Sequence, residues 1–428
     1  MKTFKLFFVI VFILAANVYS QSGGSIGMSD ARSDAMGKTK VTSSFGLRAL
    51  GNNPANLFND SLKHVEFIIP IPLPSLSGSI GTNFISVDEY NYFFGYQTKD
   101  ADGKTIGRYL TDSDKSRLKN LFADGGAVTG DAHVQFFAIS VKPSNAFGTI
   151  AFSMSDVISS NLTFPQGIVS IALDGNPVNQ VYNFNDTKMK AWWLRKYSLS
   201  YARSLNILPV FKQISVGVSF NIIQGFAYAG LDHVGTQLTT GDGNVITGKG
   251  DFLAYAAFSP EFNVKYDFDK SITTKKDFKF SAFPTPAGNG FGFDFGVNAK
   301  LNDVWSFGFA VTDIGNITWN KNAAQYSSNL PIYLDDLTNQ SQRDSLVKAL
   351  TGKDGGKYIS EFSTDLATAL RFGASMQINN KLLLAFDYNQ GFNDQPGNSK
   401  KPRFSIGADW EFGFFALRTG FSFGGFDK

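Results

Sequence analysis

Four charged residues late in the chain could face one another in two pairs across neighbouring strands. Tight turns join the strands concerned, and counting back from each turn predicts the register of the pair. Ion pairs on the polar face of two strands could line a channel, hold an internal segment in place, or simply stabilise a polar interior. The predicted lumen pairs are Arg371 with Asp387 and Asp409 with Arg418.

Residues that commonly catalyse reactions or bind metals are few and scattered. The three histidines, His64, His133 and His233, lie on separate segments, and none has the spacing of a zinc site. The chain has no cysteine, which excludes thiolate ligands, cysteine nucleophiles and disulfides. An acidic run at 100–103 begins like a calcium loop but lacks its later ligands. We expect no metal, no cofactor and no enzyme activity; a serine–histidine lipase is a minor alternative, since its residues would come from different strands.

The pattern that must position these residues is an alternation of apolar and polar side chains. From Phe291 to Val297 every second residue is apolar, while the residues between them are glycine and aspartate. Side chains on a strand point alternately to its two faces, so this stretch predicts one apolar and one polar face. The alternation recurs along most of the chain, which is rich in phenylalanine (43 residues) and glycine (42 residues). Lipid-facing phenylalanine and inward-facing glycine would explain both numbers; a periplasmic β-sandwich is the alternative.

The first twenty residues have the composition of a secretory signal. Two lysines precede an apolar run at 6–16, and the small residue Ser20 stands at the predicted cleavage site. The run is about half the ~20 residues that a membrane-spanning helix needs, and no later apolar run is as long. An exported chain that enters a membrane without such a helix must do so as a closed barrel. The sequence therefore predicts a signal peptide at 1–20 and a location in the outer membrane of a Gram-negative cell.

We predict an all-β fold, a transmembrane antiparallel up-and-down β-barrel of about 14 strands with a small N-terminal plug. Short turns are assigned to the periplasmic side and long connections to the outside. The weak strand 276–283 is included because it keeps every short turn on one side. Only 13 strands are found and the last runs upward, so we expect a final strand to be missing and the barrel domain, 61–428, to be C-terminally truncated. The alternative is that the count is wrong by one strand. The predicted strands are 65–87, 134–142, 147–156, 191–204, 213–225, 252–268, 276–283, 289–300, 304–314, 366–378, 381–390, 402–412 and 415–424.

The same assignment makes predictions for the tryptophans and for the long outer segments. Indole rings favour the two membrane interfaces. The strand directions place three tryptophans at outer strand ends, namely Trp192, Trp193 and Trp319. They place Trp305 and Trp410 at periplasmic strand ends. Two outer segments are predicted to carry surface helices, near 111–122 and 341–350.

A run of small residues leads from Asp30 to an Asn-Pro-Ala motif just before the first strand. The motif residues are Asn52, Asn53, Pro54 and Ala55. This segment resembles the N-terminal hatch of the long-chain fatty-acid transporter family. The whole chain is similar to an uncharacterised Bacteroidetes-type branch of outer-membrane barrels, in which 313–319 is another familiar stretch. The resemblance implies a plug at 21–60 that gates a barrel of about fourteen strands, although Asn56 stands where the transporter family usually has glycine.

The motif also has a simpler interpretation. Asn53 can cap a short helix that begins at Pro54, where the missing N–H does no harm. A capped turn ahead of the first strand and a gating hatch both remain open at this point.

The resemblance implies a channel for small hydrophobic molecules, gated by the plug. The inward positions carry serine, asparagine, aspartate and arginine, whereas a fatty-acid-like ligand favours an apolar pocket. The alternative is a non-transporting interaction barrel for protein secretion or surface attachment through its long outer loops. Expected partners are outer-membrane lipid, a small hydrophobic ligand and, under the alternative, secretion-system proteins. The net charge of +3, with lysines scattered among aspartates, predicts no nucleic-acid partner.

Overall fold

The computed structural model describes most of the chain from Asp30 to Gly425. The described residues are 30–59, 64–71, 74–95, 97–99, 102–175, 177–205, 208–268, 272–275, 281–336, 338–351 and 355–425. The predicted signal peptide at 1–20 lies outside them, as do residues 276–280 of the weak predicted strand.

Eleven long strands, β1 to β11 in chain order, form one antiparallel sheet in the described part of the chain. Each pairs with its chain neighbours in the series, so the connections run up and down. The predicted all-β, antiparallel architecture is therefore confirmed. The bounds are Val65–Ile68 with Ser75–Thr82 (β1), Gly126–Ser144 (β2), Gly148–Phe164 (β3), Lys188–Leu205 (β4), Gln213–Val234 (β5), Gly288–Lys300 (β6), Trp305–Trp319 (β7), Phe362–Asp365 with Ala369–Asn379 (β8), Leu382–Gly391 (β9), Arg403–Glu411 (β10) and Ala416–Gly424 (β11).

The number of strands in the series differs from the prediction because β5 pairs directly with β6. Their register covers the whole of β6, beginning with Gln213 opposite Lys300, so no strand lies between them. Neither the predicted strand 252–268 nor residues 281–283, the described part of the predicted strand 276–283, therefore stands in the series between β5 and β6. Removing both leaves the direction of every later strand unchanged, which is why the alternation of turn lengths did not reveal the error. Among the described residues β1 and β11 are not paired with each other, so the sheet is open along that seam.

Further strands and helices form an outer layer beyond the ends of the series that lie opposite the short turns. Ile246–Phe258 pairs with the upper end of β5 and with Ala323–Leu334, which explains the apolar alternation at 252–268. The shorter strands are Gln97–Lys99, Thr105–Gly107, Val181–Asn183, Gln237–Thr240, Val264–Asp267, Ile272–Lys275 and Gly356–Tyr358.

The helices are short and lie mainly in this outer layer. The two that the sequence predicts are confirmed as α3 and α5, and the Thr111 side chain caps α3 by accepting the Asp114 N–H. In the described ranges no helix is long and apolar enough to cross a membrane. The helices are Ala31–Ala35 (α1), Val87–Tyr90 (α2), Asp112–Leu121 (α3), Gln166–Asp174 (α4) and Gln340–Thr351 (α5), with single turns at Gly46–Ala49, Pro54–Leu57, Asn91–Gly95, Asp242–Asn244 and Pro260–Phe262.

The two faces of the sheet differ as the alternation predicts. On β6, Phe291 and Phe295 are 54% and 49% exposed on the outer face, while Asp294 and Asn298 are buried on the inner face. Elsewhere the outer face also exposes large apolar side chains, and the inner face buries serine, asparagine and charged residues. An apolar outer and polar inner face is the arrangement that a membrane-spanning sheet requires.

The tryptophans only partly follow the interface interpretation. Trp305 and Trp410 lie at the lower strand ends, where the short turns are, and both are exposed. Trp192 and Trp319 lie near upper strand ends, but they are 4% and 0% exposed and pack inside the sheet in one apolar cluster. A membrane-interface role is therefore wrong for these two residues, because strand position alone does not say which face a side chain occupies.

One ion pair lies on the outer face and is nevertheless buried. Asp156 on β3 and Arg195 on β4 are register partners, and Arg195 lies four residues from Leu199, which is 56% exposed on that face. The Arg195 Nε and Nη2 atoms donate to the two carboxylate oxygens at 2.6 and 2.9 Å. The connection before β6 folds over the pair, with the Ala282 carbonyl accepting from Arg195 at 2.9 Å and the Phe283 ring 4.8 Å from the guanidinium. This strap shields the charges that the outer face would otherwise expose.

Candidate functional site

The N-terminal segment, residues 30–59, lies against the inner, polar face of the sheet. It consists of α1, capped by the Asp30 side chain, and two single turns joined by extended stretches. Val41, Asn53 and Leu57 are completely buried. Its apolar side chains share one buried cluster with alanines of β2, β3 and β4, so the strands complete the core of the segment; the cluster contains Leu47, Leu50, Leu57, Phe58, Ala138, Ala151 and Ala202.

The predicted motif residues bind to other parts of this segment and to the strands around it, whose inner face is called the wall below. The Asn53 side chain accepts the Ala55 N–H at 3.1 Å, which caps the turn Pro54–Leu57. Its amide nitrogen donates to the carbonyls of Val41 at 3.1 Å and Val297 at 3.2 Å. Asn52 is buried beside it, at 2% exposure. The capped turn is thus present, and one side chain joins the motif both to another part of the segment and to β6.

Asn56, which departs from the transporter-family pattern, has a specific role in this chain. Its amide nitrogen donates to the carbonyls of Val41 and Ser44, each at 2.9 Å, and its amide oxygen accepts from Asn298 on β6. A glycine could make none of these side-chain bonds. Where a glycine would leave the backbone flexible, Asn56 fixes it through three buried side-chain hydrogen bonds.

Inward-facing glycines of the wall make room for the segment. A Cβ atom built at any of six such positions would lie less than 3.0 Å from an atom of residues 36–55. Only glycine allows the two backbones to approach so closely. The positions are Gly217, Gly296, Gly308, Gly373, Gly407 and Gly420.

Replacing Gly296 with alanine is expected to loosen the segment. The added methyl would meet the Asn53 amide oxygen and the Pro54 ring, and overpacking of this kind costs about 1 to 3 kcal/mol. Hydrogen–deuterium exchange in residues 30–59 should become faster. Gly78→Ala is the matched control, because its Cβ would meet nothing closer than the Asp131 carbonyl at 3.4 Å. Equal exchange in the two variants would show that Gly296 does not hold the segment.

Two wall carboxylates hold the segment by charge. Asp387 on β9 accepts the backbone N–H groups of Lys40 at 2.5 Å and Val41 at 3.0 Å. Asp409 on β10 accepts from Arg32 at 2.8 Å, and the Nε of Arg418 lies 3.1 Å from its other oxygen. Each carboxylate is almost completely buried. The segment and the wall therefore share buried charge-assisted contacts, which are stronger than neutral hydrogen bonds.

The predicted register of Arg371 with Asp387 is wrong. Arg371 lies opposite Asn389, to which it donates at 3.0 Å, and Asp387 lies opposite Gly373. The turn leaves only residues 380 and 381 unpaired, with Asn379 opposite Leu382, and a bulge at Ile378 then shifts the register by one residue. Together these two features place the partner of Arg371 two residues beyond the predicted one. The arginine and the aspartate remain on the same inner face. Asp409 and Arg418, by contrast, are register partners.

Lys40 is a buried titratable group where the N-terminal segment meets the wall. Burial lowers the pKa of Lys40 from 10.5 to about 8; nearby Asp30 and Asp34 oppose the shift, whereas Arg371 and Arg403 add to it. The docked segment consequently holds fewer protons between pH 8 and 10.5 than a released one would. The N-terminal segment should therefore dock more tightly as the pH rises from 8 to 10.5. Just below pH 8 Lys40 is protonated in both states, and its contribution to docking should not change with pH.

The pH effect can be measured by proteinase K digestion of the N-terminal segment. Cleavage of the wild-type segment is expected to slow between pH 8 and 10, relative to a reference peptide. In Lys40→Met, which cannot titrate at this position, the slowing should disappear. Cleavage that stays constant or accelerates with pH in the wild type would contradict the assignment.

A cavity lies between the segment and the apolar cluster at the upper end of the lumen. Its volume is about 60 Å³, which is the space that roughly two water molecules occupy in liquid water. Leu50 and Gly51 of the segment form one side, and Trp192, Leu194 and Leu366 form the apolar side. The rest of the lining is polar, with Asp131, His133, Ser153, Ser155, Ser159, Lys196, Ser198, Ser200, Ser219, Asn221, Asp294 and Asp313.

Charged residues in the cavity wall are tied together. Lys196 donates to the Asp313 carboxylate. Asp294 accepts from the Asn221 side chain at 3.0 Å and from the Asp313 N–H at 2.7 Å. Asp313 stands at a bulge with a left-handed φ of 57°, which turns its N–H towards Asp294. Among the described residues, no group of three or more histidine, aspartate or glutamate side chains could hold a metal ion.

Sequence reasoning missed these cavity residues, although some carried a signal. Asp294 is visible as an inward position in the alternation of β6, and Ser153, Ser155 and Ser159 follow the same period on β3. The alternation also places Lys196 on the inner face of β4, so an ion pair with an inner-face carboxylate could have been predicted. The Asp313 contact could not, because it depends on a bulge that no residue pattern predicts.

One protein family matches most of the chain. It is described as a family of unknown function (DUF5723), and its match covers residues 62–426. No curated protein matches the sequence at a significant level.

Several solved structures match over most of the chain at low identity. The P. putida toluene transporter TodX is 12% identical with a TM-score of 0.41, covering 93% of this chain and 84% of its own. The CymD monoaromatic hydrocarbon channel is 10% identical with a TM-score of 0.34, covering 95% and 93%. TM-scores this low support no inference, so the lumen must be interpreted from its own residues.

Proposed function

The chain belongs to this family of unknown function, DUF5723, and we propose that it is an outer-membrane channel for small, mainly hydrophobic molecules. Residues 21–60 act as the plug that gates it, residues 1–20 as a cleaved signal peptide, and the chain from residue 61 as the barrel. No reaction is carried out on the cargo. The relationship to long-chain fatty-acid transporters and to a Bacteroidetes-type branch stays a prediction.

The observation that carries this proposal is the way in which residues 30–59 fill the lower lumen. The segment shares an apolar cluster with the strands, and polar contacts hold it there, chiefly at Asp387, Asp409 and Asn298. Glycines on the wall provide a fitted seat for it. We infer that solutes cross the lower lumen when the segment leaves this seat, which would make the segment a gate.

The outer face supports a membrane location. Large apolar side chains such as Phe67, Leu199 and Phe421 are 64%, 56% and 62% exposed on the strands. A continuous exposed apolar surface of this kind is stable in lipid and promotes aggregation in water. Lipid is therefore the partner that we propose for the outer face.

Liposome swelling tests the proposal directly. Full-length protein and a variant lacking residues 21–60 are reconstituted, and the entry of small neutral solutes is followed by light scattering. The deletion variant is expected to swell its vesicles much faster than the full chain. Gel mobility with and without heating controls for folding of both proteins.

The interaction-barrel alternative predicts a different outcome. Neither protein would then change vesicle permeability although both are folded, and that result would overturn the channel. Capture of secretion components through the outer loops, lost when those loops are shortened, would support the alternative instead.

A further inference from the structure

The connection between β9 and β10, residues 392–402, folds into the upper end of the lumen. Connecting loops usually run over the surface in contact with water, yet Asn398 and Ser399 of this loop are 0% and 2% exposed. The base of the loop lies on its own side of the wall, where the Phe392 N–H donates to the Thr368 carbonyl at 2.9 Å. A connection that could extend outward thus lies inside the sheet.

The tip of this loop is a tight turn formed by residues 395–398. The Asn398 N–H donates to the Gln395 carbonyl at 2.9 Å and closes the turn. Pro396 stands at its second position, and Gly397 at its third has a φ of 76°. Proline followed by a residue with positive φ is typical of a type II turn, in which both residues suit the backbone that they adopt. The tip therefore keeps its shape and can move as a unit.

Asn161 on β3 binds the tip from the opposite side of the lumen. Its amide nitrogen donates to the carbonyls of Gln395 at 2.9 Å and Asn398 at 3.0 Å. Its amide oxygen accepts the Gly397 N–H at 3.2 Å, and the side chain is buried. Five strands of the series, β4 to β8, separate β3 from β9, so this contact crosses the lumen.

The tip and the N-terminal segment approach each other from the two ends of the lumen. Both border the cavity of about 60 Å³, with Leu50 and Gly51 on the side of the segment and Pro396 and Gly397 on the side of the tip. This volume is the space of roughly two water molecules. Displacing the segment alone would therefore still leave the tip across the upper lumen.

The two closures differ in strength. Asn161 binds the tip through neutral hydrogen bonds, and the ion pair of Lys188 with Asp394 at the rim is partly exposed, so that it contributes little. The segment is bound by the buried carboxylates Asp387 and Asp409, whose charge-assisted bonds are stronger. The tip should consequently leave its place more often than the segment does.

We propose that residues 392–399 form an outer lid on the lumen, which Asn161 latches to β3 and which acts in series with the N-terminal gate. This inference rests on the proposed channel and adds that its cargo passes two closures. Because the slower of two steps in series limits the flow, the lid controls permeability only when the segment is absent or released.

Liposome swelling by small neutral solutes tests the lid in four proteins, namely the full chain and the variant lacking residues 21–60, each with and without Asn161→Ala. In the full chain Asn161→Ala should change the swelling rate by less than about twofold, because the segment still closes the lumen. In the deletion variant it should raise the rate about tenfold or more, since the closed lid loses three hydrogen bonds. Asn289→Ala, the same change at an exposed position near the upper end of β6, should have no effect in either protein.

A second variant acts on the tip itself. The Cβ of Gly397→Ala would lie 2.9 Å from the Asp131 carboxylate and 3.0 Å from the Ser159 hydroxyl, so it should reproduce the pattern of Asn161→Ala. Gly243→Ala is its matched control, because Gly243 has a similar φ of 72° but its Cβ would meet nothing within 4 Å. Independently of transport, hydrogen–deuterium exchange of residues 392–399 should be faster in both lid variants of the full chain.

The outcomes separate the lid from the channel. Swelling that rises on deletion of residues 21–60, but no further with either lid variant, would overturn the lid and leave the channel standing. An equal gain from Asn161→Ala in the full chain and in the deletion variant would contradict two closures in series. Unchanged exchange of residues 392–399 would show that Asn161 is not the latch. Folded proteins that never swell their vesicles would overturn the channel itself, and with it the lid as a barrier.

Discussion

Replacing Asp387 with alanine is expected to open the lumen. The change removes the acceptor of two backbone N–H groups, those of Lys40 and Val41, in a fully buried place. Bonds to a charged group contribute about 1.5 to 3 kcal/mol each, so docking should weaken by about 3 to 6 kcal/mol, a factor of ~10²–10⁴ in the closed-to-open ratio. Planar-bilayer recordings should show frequent openings where the wild type is mostly closed.

Asp365→Ala is the matched control for this experiment. Asp365 is exposed on β8, and its change removes the same charge without touching the N-terminal segment. Its recordings should match those of the wild type. If Asp387→Ala behaved like this control, the carboxylate would not hold the gate.

Replacing Arg195 with alanine is expected to destabilise the whole sheet. The guanidinium is 1% exposed and is the bidentate partner of Asp156, which would be left as an unpaired charge under the strap. Breaking a buried pair in this way costs about 3 to 5 kcal/mol. The variant is unfolded with guanidinium chloride in detergent, and unfolding is followed by tryptophan fluorescence. Its free energy of unfolding should be lower than that of the wild type by this amount.

Two further variants separate charge from packing at this pair. Arg203→Ala on the same strand removes an exposed arginine and should change the free energy of unfolding by less than about 1 kcal/mol. The double variant Asp156→Leu with Arg195→Met removes both charges, and we expect it to recover most of the loss. A double variant as unstable as Arg195→Ala would mean that packing under the strap, rather than the unpaired carboxylate, dominates.

Residue alternation was sufficient for the architecture and for the two faces of the sheet. It depends only on the period of a strand, which local sequence carries, and β6 shows it plainly at Phe291 and Asp294. It was insufficient for the order of pairing. The stretch 252–268 alternates in the same way, yet Ile246–Phe258 pairs in the outer layer. Along residues 213–225 β5 pairs with β6, so only the upper end of β5 pairs with this strand.

Registers were predictable only where the turn was regular. The turn at 413–414 has no bulge next to it, and Asp409 lies opposite Arg418. At the preceding turn the Asn379 side chain accepts the N–H groups of Lys381 and Leu382, at 2.9 and 3.0 Å, which tightens the turn and leaves Ile378 as a bulge. A side-chain contact of this kind has no signature in spacing, so Arg371 was assigned the wrong partner.

The candidate site shows the same division. The motif at 52–55 could be recognised because a run of small residues before the first strand is visible in the sequence. Its contacts with Val41 and Val297 join positions far apart in the chain, and no local pattern reports them. The same holds for the glycine seat, since each glycine acquires its meaning only from the backbone that approaches it.

The gating claim is tested most directly by tying the N-terminal segment to the wall and measuring conductance. Asn56 and Asn298 are hydrogen-bonded across this contact, and the absence of native cysteine allows a cysteine at each position to be linked selectively by a short bis-methanethiosulfonate, which joins each thiol through a reducible disulfide. In the Asp387→Ala background we predict that linking abolishes the openings and that a reductant restores them, while each single-cysteine variant is unaffected by the reagent. Openings that persist at full conductance after complete linking would contradict the account, because current would then pass without movement of the segment.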